Sequence, residues 1–352
     1  MTAPDVPLLR LAAQRIAGGH LPTVTESARW LTAAQGQDLR GVMTSLALRT
    51  QGGTTADVEA AFNSGEIVRS WPMRGTLHVV AAEDLGWMLN VAARRVIAGA
   101  AGRWRGLGFD DAVFDRARAT AVDALSGGRR LTREALFTLW QEAGLETSGQ
   151  RGVHLILQLA LSGVVCYGPM DGPRQQLVLL DEWVPKPRHL DKDEALGEWA
   201  LRFFRSHGPA SIQDFARWTK LPLGESRAGL AVARPCLERL EVNGVEQWMD
   251  PATPELLKTW RARARGVFLL PGFDEYVLGY ADRSVVISPS YADLVVPGNN
   301  GMFQHTVVSC GQVVGTWKRT PRGSKAPLVA TPFAAFTPAV QTEIDRLAKA
   351  LP

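Results

Sequence analysis

Lysine is absent from the first 185 of the 352 residues and occurs only seven times in all. Chemistry seated in the first half must therefore do without a lysine amine as nucleophile or Schiff-base former. Cysteine is equally sparse. Cys166, Cys236 and Cys310 stand far apart, form no CxxC pair and leave an odd count, which excludes a closed disulfide framework and fits a reducing compartment. The six histidines are scattered, and no GxGxxG, Walker loop, GxSxG or HExxH occurs, so no metal site and no cofactor is implied. The longest apolar run, "VHLILQLALSGVV", is short for a membrane span and contains Gln158, and no charged-then-apolar leader opens the chain. The expected location is the cytoplasm.

What is present is a globular composition, 46% hydrophobic, in a chain long enough for two to four units. The net charge is +4, and its excess lies wholly at the N-terminal end: residues 1–133 hold sixteen basic against twelve acidic residues, and the remainder holds twenty-three of each. Most of the basic residues are arginine, whose planar fork suits bidentate phosphate contacts, although GC-rich coding produces the same bias.

Three passages share a local pattern: "TTADVEAAF", "LTREALFTLW" and "ASIQDFARWT". Thr55, Thr132 and Ser211 are expected to cap short amphipathic helices, with Asp57, Glu134 and Asp214 at the positive helix ends. Each passage leads into a pair of extended runs. "IVRSWPMRGTLHVV" is the first, "VVCYGPMDGPRQQLVLL" turns at Asp171 and Gly172, and "LERLEVNGVEQW" turns at Asn243 and Gly244. Helices followed by a hairpin describe a winged helix. Leu196, Trp199, Ala200, Phe203 and Phe204, spaced for one helical face, supply the first helix of the third unit. From about Gly266 the runs "GVFLLPGFDEYVLGY", "RSVVIS" and "FQHTVVSCGQVVGTWKR" turn β-branched, with "VPGNNG" as a turn. The expected fold is α+β: winged helices over 1–110, 111–190 and 191–265, then a small C-terminal β-rich domain over 266–352.

The fragments "AAQGQDLRG", "SWPMRGTLHVVAAEDL", "LSGVVCYGP", "SHGPASIQDFARWTKLPL", "LLPGFDEYVLGYADRS" and "GQVVGTWKR", in this order, span most of the chain. Together they resemble the bacterial winged-helix DNA glycosylases of the azinomycin-resistance, or AlkZ-like, type, which unhook alkylation crosslinks. The resemblance implies three tandem winged helices with a C-terminal β domain. It also implies a working motif of Gln, any residue, then Gln or Asp, which falls on Gln35 and Gln37. The middle position is often apolar in that family; here it is Gly36, which gives the backbone more freedom.

Breaking an N-glycosidic bond usually calls for an acid at the leaving base and a base for water. Two glutamines offer neither. A purine alkylated at a ring nitrogen already carries positive charge and departs neutral, so no proton has to be delivered. What remains is to orient a water and to stabilise the developing sugar cation, which amide carbonyls and dipoles can do. Gln37 is expected to hold the water and Gln35 to share it or contact the sugar. A plainer reading has both residues joining two helices, with Asp38 capping the second.

Several residues are expected to meet double-stranded DNA. Arg74, at a hairpin turn, and His78 would share a strand face with Thr76, although an ordinary buried histidine is an equal reading of His78. "RRVIAGAAGRWRG" gathers Arg94, Arg95, Arg103 and Arg105 around Trp104, offering phosphate forks and a stacking ring, or simply a solvated helix surface. In "GQRGVHLILQLALSG" Val153, Ile156, Leu157, Ala160 and Leu161 are expected to be buried, leaving Gln150, Arg151, His154 and Gln158 on the face where a recognition helix reads a groove. "GNNGMFQH" places Asn299, Asn300, Phe303 and His305 on a loop that could probe one. Asp274, Glu275 and Asp282 invite a metal or acid/base reading, which the lack of companion ligands argues against.

The expected activity is that of a monofunctional, monomeric DNA glycosylase releasing cationic alkylated purines of the N7-alkylguanine type, interstrand crosslinks included. The alternative is a non-catalytic winged-helix DNA-binding protein or regulator. The missing lysines argue against an intrinsic strand-nicking step.

Overall fold

The structure, a computed structural model, describes residues 5–321 and 326–352. It divides into two units, one made of residues 1–58 and 196–352, the other of residues 59–195. Among the described residues no helix is long and apolar enough to cross a membrane.

The second unit is built on two hairpins. Strands Ile67–Met73 and Thr76–Ala81 are joined by Arg74 and Gly75, both with positive φ (58° and 70°), the backbone a two-residue turn between twisted strands requires. Strands Val165–Asp171 and Arg174–Leu179 form the other, and Asp171 pairs with Arg174, so the turn is Gly172–Pro173, one residue later than the sequence suggests. Arg69 pairs with Tyr167, which joins the two hairpins edge to edge into one antiparallel sheet. Neither sequence fragment signals this, because edge pairing depends on tertiary approach. Helices Leu85–Gly106, Asp111–Leu125, Arg133–Glu142 and Arg151–Leu161 complete the unit. Thr132 caps its helix as expected, accepting from the Ala135 N–H. The helix that opens with "TTADVEAAF" runs Thr55–Asn63 and is capped by Thr54, whose hydroxyl accepts from the Asp57 N–H, and not by Thr55.

In Arg151–Leu161 the buried set is Gly152, Leu155, Ile156, Leu159, Ala160 and Leu161. Val153 is 41% exposed, so the face expected from the sequence is rotated toward Leu155 and Leu159. Both registers satisfy the i, i+3, i+4 rule, and only the packing partners decide between them.

The first unit holds helices Val6–Ala13, Val24–Leu31 and Leu39–Ala47. After the other unit's residues come Lys192–His207, Ile212–Thr219 and Leu223–Ala233, and then hairpin Glu238–Val242 with Val245–Met249. Leu196, Trp199, Ala200, Phe203 and Phe204 are all buried, as their spacing requires. Ser211 and Asp214 form a reciprocal capping box, and Asn243 and Gly244 turn the hairpin with φ of 51° and 77°.

The tail is a four-stranded antiparallel sheet in the order Leu328–Pro332, Gln312–Arg319, Thr306–Ser309, Val267–Leu270. Helix Pro338–Ala350 packs on its last strand through Ile344. "RSVVIS" is not a strand: the Val286 and Ile287 N–H groups both donate to the Arg283 carbonyl in a turn that buries the two side chains against Leu8, Leu9 and Tyr276. Two adjacent β-branched residues record burial here, not extension.

Candidate active site

Gln35 and Gln37 sit in the loop between Val24–Leu31 and Leu39–Ala47. The first helix starts at a Thr23–Glu26 capping box and stops at Thr32, held at φ 70°, after which Ala34–Gln35 runs extended. Gln35 is buried and Gln37 is exposed. The Gln35 Nε2 donates to Gln37 Oε1 at 2.8 Å, and the Gln35 backbone N–H donates to Glu275 Oε1 at 3.1 Å. The inner amide is thus fixed by main chain and side chain, which offsets the freedom of Gly36, and it sets the direction of the outer one. The Gln37 carbonyl spends one lone pair on Gln35 and has a second for another donor.

Glu275 belongs to a buried polar network that the sequence does not announce. Its Oε2 accepts from Trp218 Nε1 at 2.8 Å and lies 3.3 Å from His207 Nε2. Next to it, Asp274 takes both arms of Arg49 at 2.9 Å each, the Ser45 hydroxyl at 2.7 Å and the Tyr276 N–H at 3.0 Å. Burial opposes the charge of Asp274, but the Arg49 guanidinium and these hydrogen bonds outweigh it and hold the carboxyl below its ordinary value. Arg49 also donates to Gln14, Gln14 donates to the Tyr280 hydroxyl, and that hydroxyl donates to the His207 carbonyl. Glu275 therefore anchors the glutamine loop through the Gln35 N–H, while Asp274 secures Arg49 and Ser45. Among the described residues no His, Cys, Asp and Glu side chains group as a metal site. Asp282 is likewise engaged locally, accepting from the Ser284 N–H.

Two further segments border the loop. A Cβ at Gly41 would come within 2.6 Å of Asp38 Oδ2 and 3.3 Å of the Gly272 carbonyl, so the missing side chain lets the loop and the Gly272 turn approach. Phe273, half-buried, is held at φ 61°, a left-handed conformation costly for an aromatic residue and found where a surrounding structure enforces it. Its ring lies 6.0 Å from that of Phe303, itself capped by the Arg283 guanidinium at 4.9 Å. His305 Nδ1 accepts from the Gly272 N–H at 2.7 Å, which fixes the imidazole as the neutral tautomer with its proton on Nε2. Burial, opposed by nearby Asp38 and reinforced by Arg319, lowers its pKa further. Asn299 and Asn300 are exposed at the loop tip.

The remaining DNA candidates lie in the other unit. His78 is fully buried; its Nδ1 donates to the Thr76 carbonyl and its Nε2 accepts from Arg74 at 2.7 Å. Burial and the Arg74 charge push its pKa well below the ordinary histidine value. Direct contact with DNA is therefore closed to His78, which instead aims Arg74. Arg94, Arg103 and Arg105 are exposed and Arg95 is half-buried, its guanidinium donating to the Val91 carbonyl. Trp104 is 5% exposed, packs edge-on against Phe114 and donates to His154 Nδ1, so it is no stacking platform. At about 100° per residue, Arg94 and Arg105 fall on one helix face about 16 Å apart, while Arg103 points to the opposite side.

The residues missed by sequence reasoning are those whose partners are distant: Arg49, Ser45, His207 and Trp218. His207 and Trp218 fall within "SHGPASIQDFARWT", where polar and apolar residues alternate, and Ser45 and Arg49 carry no such signal.

A family model described as "DNA glycosylase AlkZ-like" matches residues 28–351. The chain is 27% identical over 333 residues to a Streptomyces sahachiroi protein named "Interstrand DNA cross-link repair glycosylase", covering 89% of this chain and 85% of that one. The solved structure of Streptomyces sahachiroi DNA glycosylase AlkZ superposes with a TM-score of 0.77 at 25% identity, covering 99% of this chain and 96% of the other.

Proposed function

The chain belongs to the AlkZ-like DNA glycosylase family, and on that premise we propose that it hydrolyses the N-glycosidic bond of cationic alkylated purines of the N7-alkylguanine type, unhooking interstrand crosslinks among them. The relative named for interstrand crosslink repair supports the substrate class. We further propose that Gln35 and Gln37 form the reaction site. Gln37, at the surface, holds the attacking water through its carbonyl. Gln35 acts from behind as a positioning residue, its amide donating to that same carbonyl. The observation carrying this reading is the 2.8 Å amide-to-amide hydrogen bond, anchored through the Gln35 N–H to buried Glu275. A dipole held in advance stabilises a developing cation without reorganisation cost at the moment of reaction. The leaving purine takes the electrons of the broken bond and departs neutral, so no general acid is required.

The domain reading is part of the proposal: winged helices over 1–110, 111–190 and 191–265 and a β-rich domain over 266–352, in a monomer acting on double-stranded DNA in the cytoplasm, at the nucleoid. Short bridges from Leu131 to Leu177 and from Ala210 to Trp248 support the second and third units, since each ties the segment before a capped helix to the hairpin that follows. Arg74, Arg94, Arg105 and the Asn299–Phe303 loop are the proposed DNA contacts, with Arg95 and Arg103 at their margins.

The test supplies the purified protein with DNA bearing N7-methylguanine and with DNA bearing uracil. The methylated purine is released and uracil is not, because uracil leaves as an anion that needs help two amides do not give. Comparable uracil release would refute the proposal.

A further inference from the structure

Resting on that glycosylase reading, we infer that Asp38 is the general base of the reaction, the group that takes the proton of the water held by Gln37. Asp38 follows Gln37 directly and occupies the N-cap position of Leu39–Ala47, with extended backbone, yet its side chain makes no capping hydrogen bond. Aspartate is favoured at this position because its carboxylate ordinarily accepts a first-turn N–H. Here that carboxylate makes no such bond and rests against Gly41 of the first turn, where a Cβ would come within 2.6 Å of Oδ2 and 3.3 Å of the Gly272 carbonyl. A side chain at Gly41 would displace it.

The other two carboxylates of the region are unsuited to the task. Asp274 and Glu275 are 3% and 1% exposed and their oxygens are occupied by Arg49, Ser45, Tyr276, Trp218 and the Gln35 N–H. Asp38 is only half-buried. The charged groups sharing its surroundings are Arg40 on its own helix, Arg319 at the end of strand Gln312–Arg319, and His305, which is neutral and presents an Nε2–H donor. A carboxylate beside the site also favours the cationic sugar.

In the step itself the water oxygen bonds to C1′ as the C1′–N9 bond breaks. The bonding pair stays with the purine and cancels its positive charge. The water proton passes to the Asp38 carboxylate, and the products are a neutral base and an abasic sugar.

Asp38→Asn conserves shape and capping ability while removing the base. Single-turnover release of N7-methylguanine should slow by about 100-fold or more, with DNA affinity unchanged or tighter. Asp38→Glu should retain more activity than Asp38→Asn, and added formate should restore rate to Asp38→Ala in a saturable way. A structural role would not respond to formate. Wild-type rates in Asp38→Asn, or a deficit in Asp38→Ala that formate leaves untouched while circular dichroism shows a folded protein, would overturn the assignment. If the wild-type protein releases no base at all, the glycosylase reading fails first, and the two failures are thereby distinguished.

Discussion

The Glu275 carboxylate accepts the backbone N–H of Gln35 at 3.1 Å across 240 residues of sequence. That contact fixes the glutamine loop from within the folded core. Replacing Glu275 by Gln removes the charge and one acceptor oxygen, so either the Gln35 N–H or the Trp218 indole loses its partner. An unsatisfied buried donor costs about 1–3 kcal/mol. Urea denaturation should show a loss of that size, and base release should slow beyond what the lost stability explains, because the Gln35 amide is no longer held.

Arg49 and Asp274 form a buried bidentate ion pair, with both side chains essentially inaccessible. Arg49→Met would strand an ionised carboxylate in the core, at a cost of about 3–5 kcal/mol. Adding Asp274→Asn to Arg49→Met should recover part of that loss. Equal stabilities for single and double variants, measured by chemical denaturation, would contradict the pairing.

His78 gives a pH dependence whose sign is set by its environment. Burial first, then the Arg74 charge, keeps the folded imidazole neutral and depresses its pKa. The unfolded chain protonates near the ordinary value of about 6.5 and so gains protons first on acidification. The stabilisation is therefore complete above about pH 6.5 and declines below it, by up to about 1.4 kcal/mol per pH unit. His78→Gln, which retains an acceptor for Arg74, should flatten this part of the profile of unfolding free energy against pH.

The fold was legible where the signal is local. Asn243 and Gly244 announced their hairpin and Ser211 its capped helix, because turn and cap chemistry operate within four residues. Thr337 and Pro338 carry the same kind of start signal for helix Pro338–Ala350, but the β-branched runs before it mask it. The glutamine pair is proposed through resemblance alone; nothing in its composition marks it. Asp274 and Glu275 were visible as carboxylates but not as braces, because Arg49, Trp218 and Gln35 come from segments that only the fold brings near. The phase of Arg151–Leu161 is not fixed locally for a related reason: two registers bury similarly apolar residues, and the neighbour chooses.

The helix Leu85–Gly106 presents Arg94 and Arg105 on one exposed face. Alanine at either position should weaken binding to DNA of any sequence and reduce the slope of log affinity against log salt by about one. Arg95, half-buried with its guanidinium on the Val91 carbonyl, should change that slope less. Fluorescence anisotropy over a salt series distinguishes the three.

The most direct test of the paired-amide mechanism is single-turnover release of N7-methylguanine by Gln35→Ala and Gln37→Ala beside the wild-type protein, with DNA binding followed in parallel. Loss of one preorganised polar group is expected to slow release by about 10²- to 10³-fold, with affinity for DNA retained in both variants. Release at the wild-type rate by either variant would contradict the account.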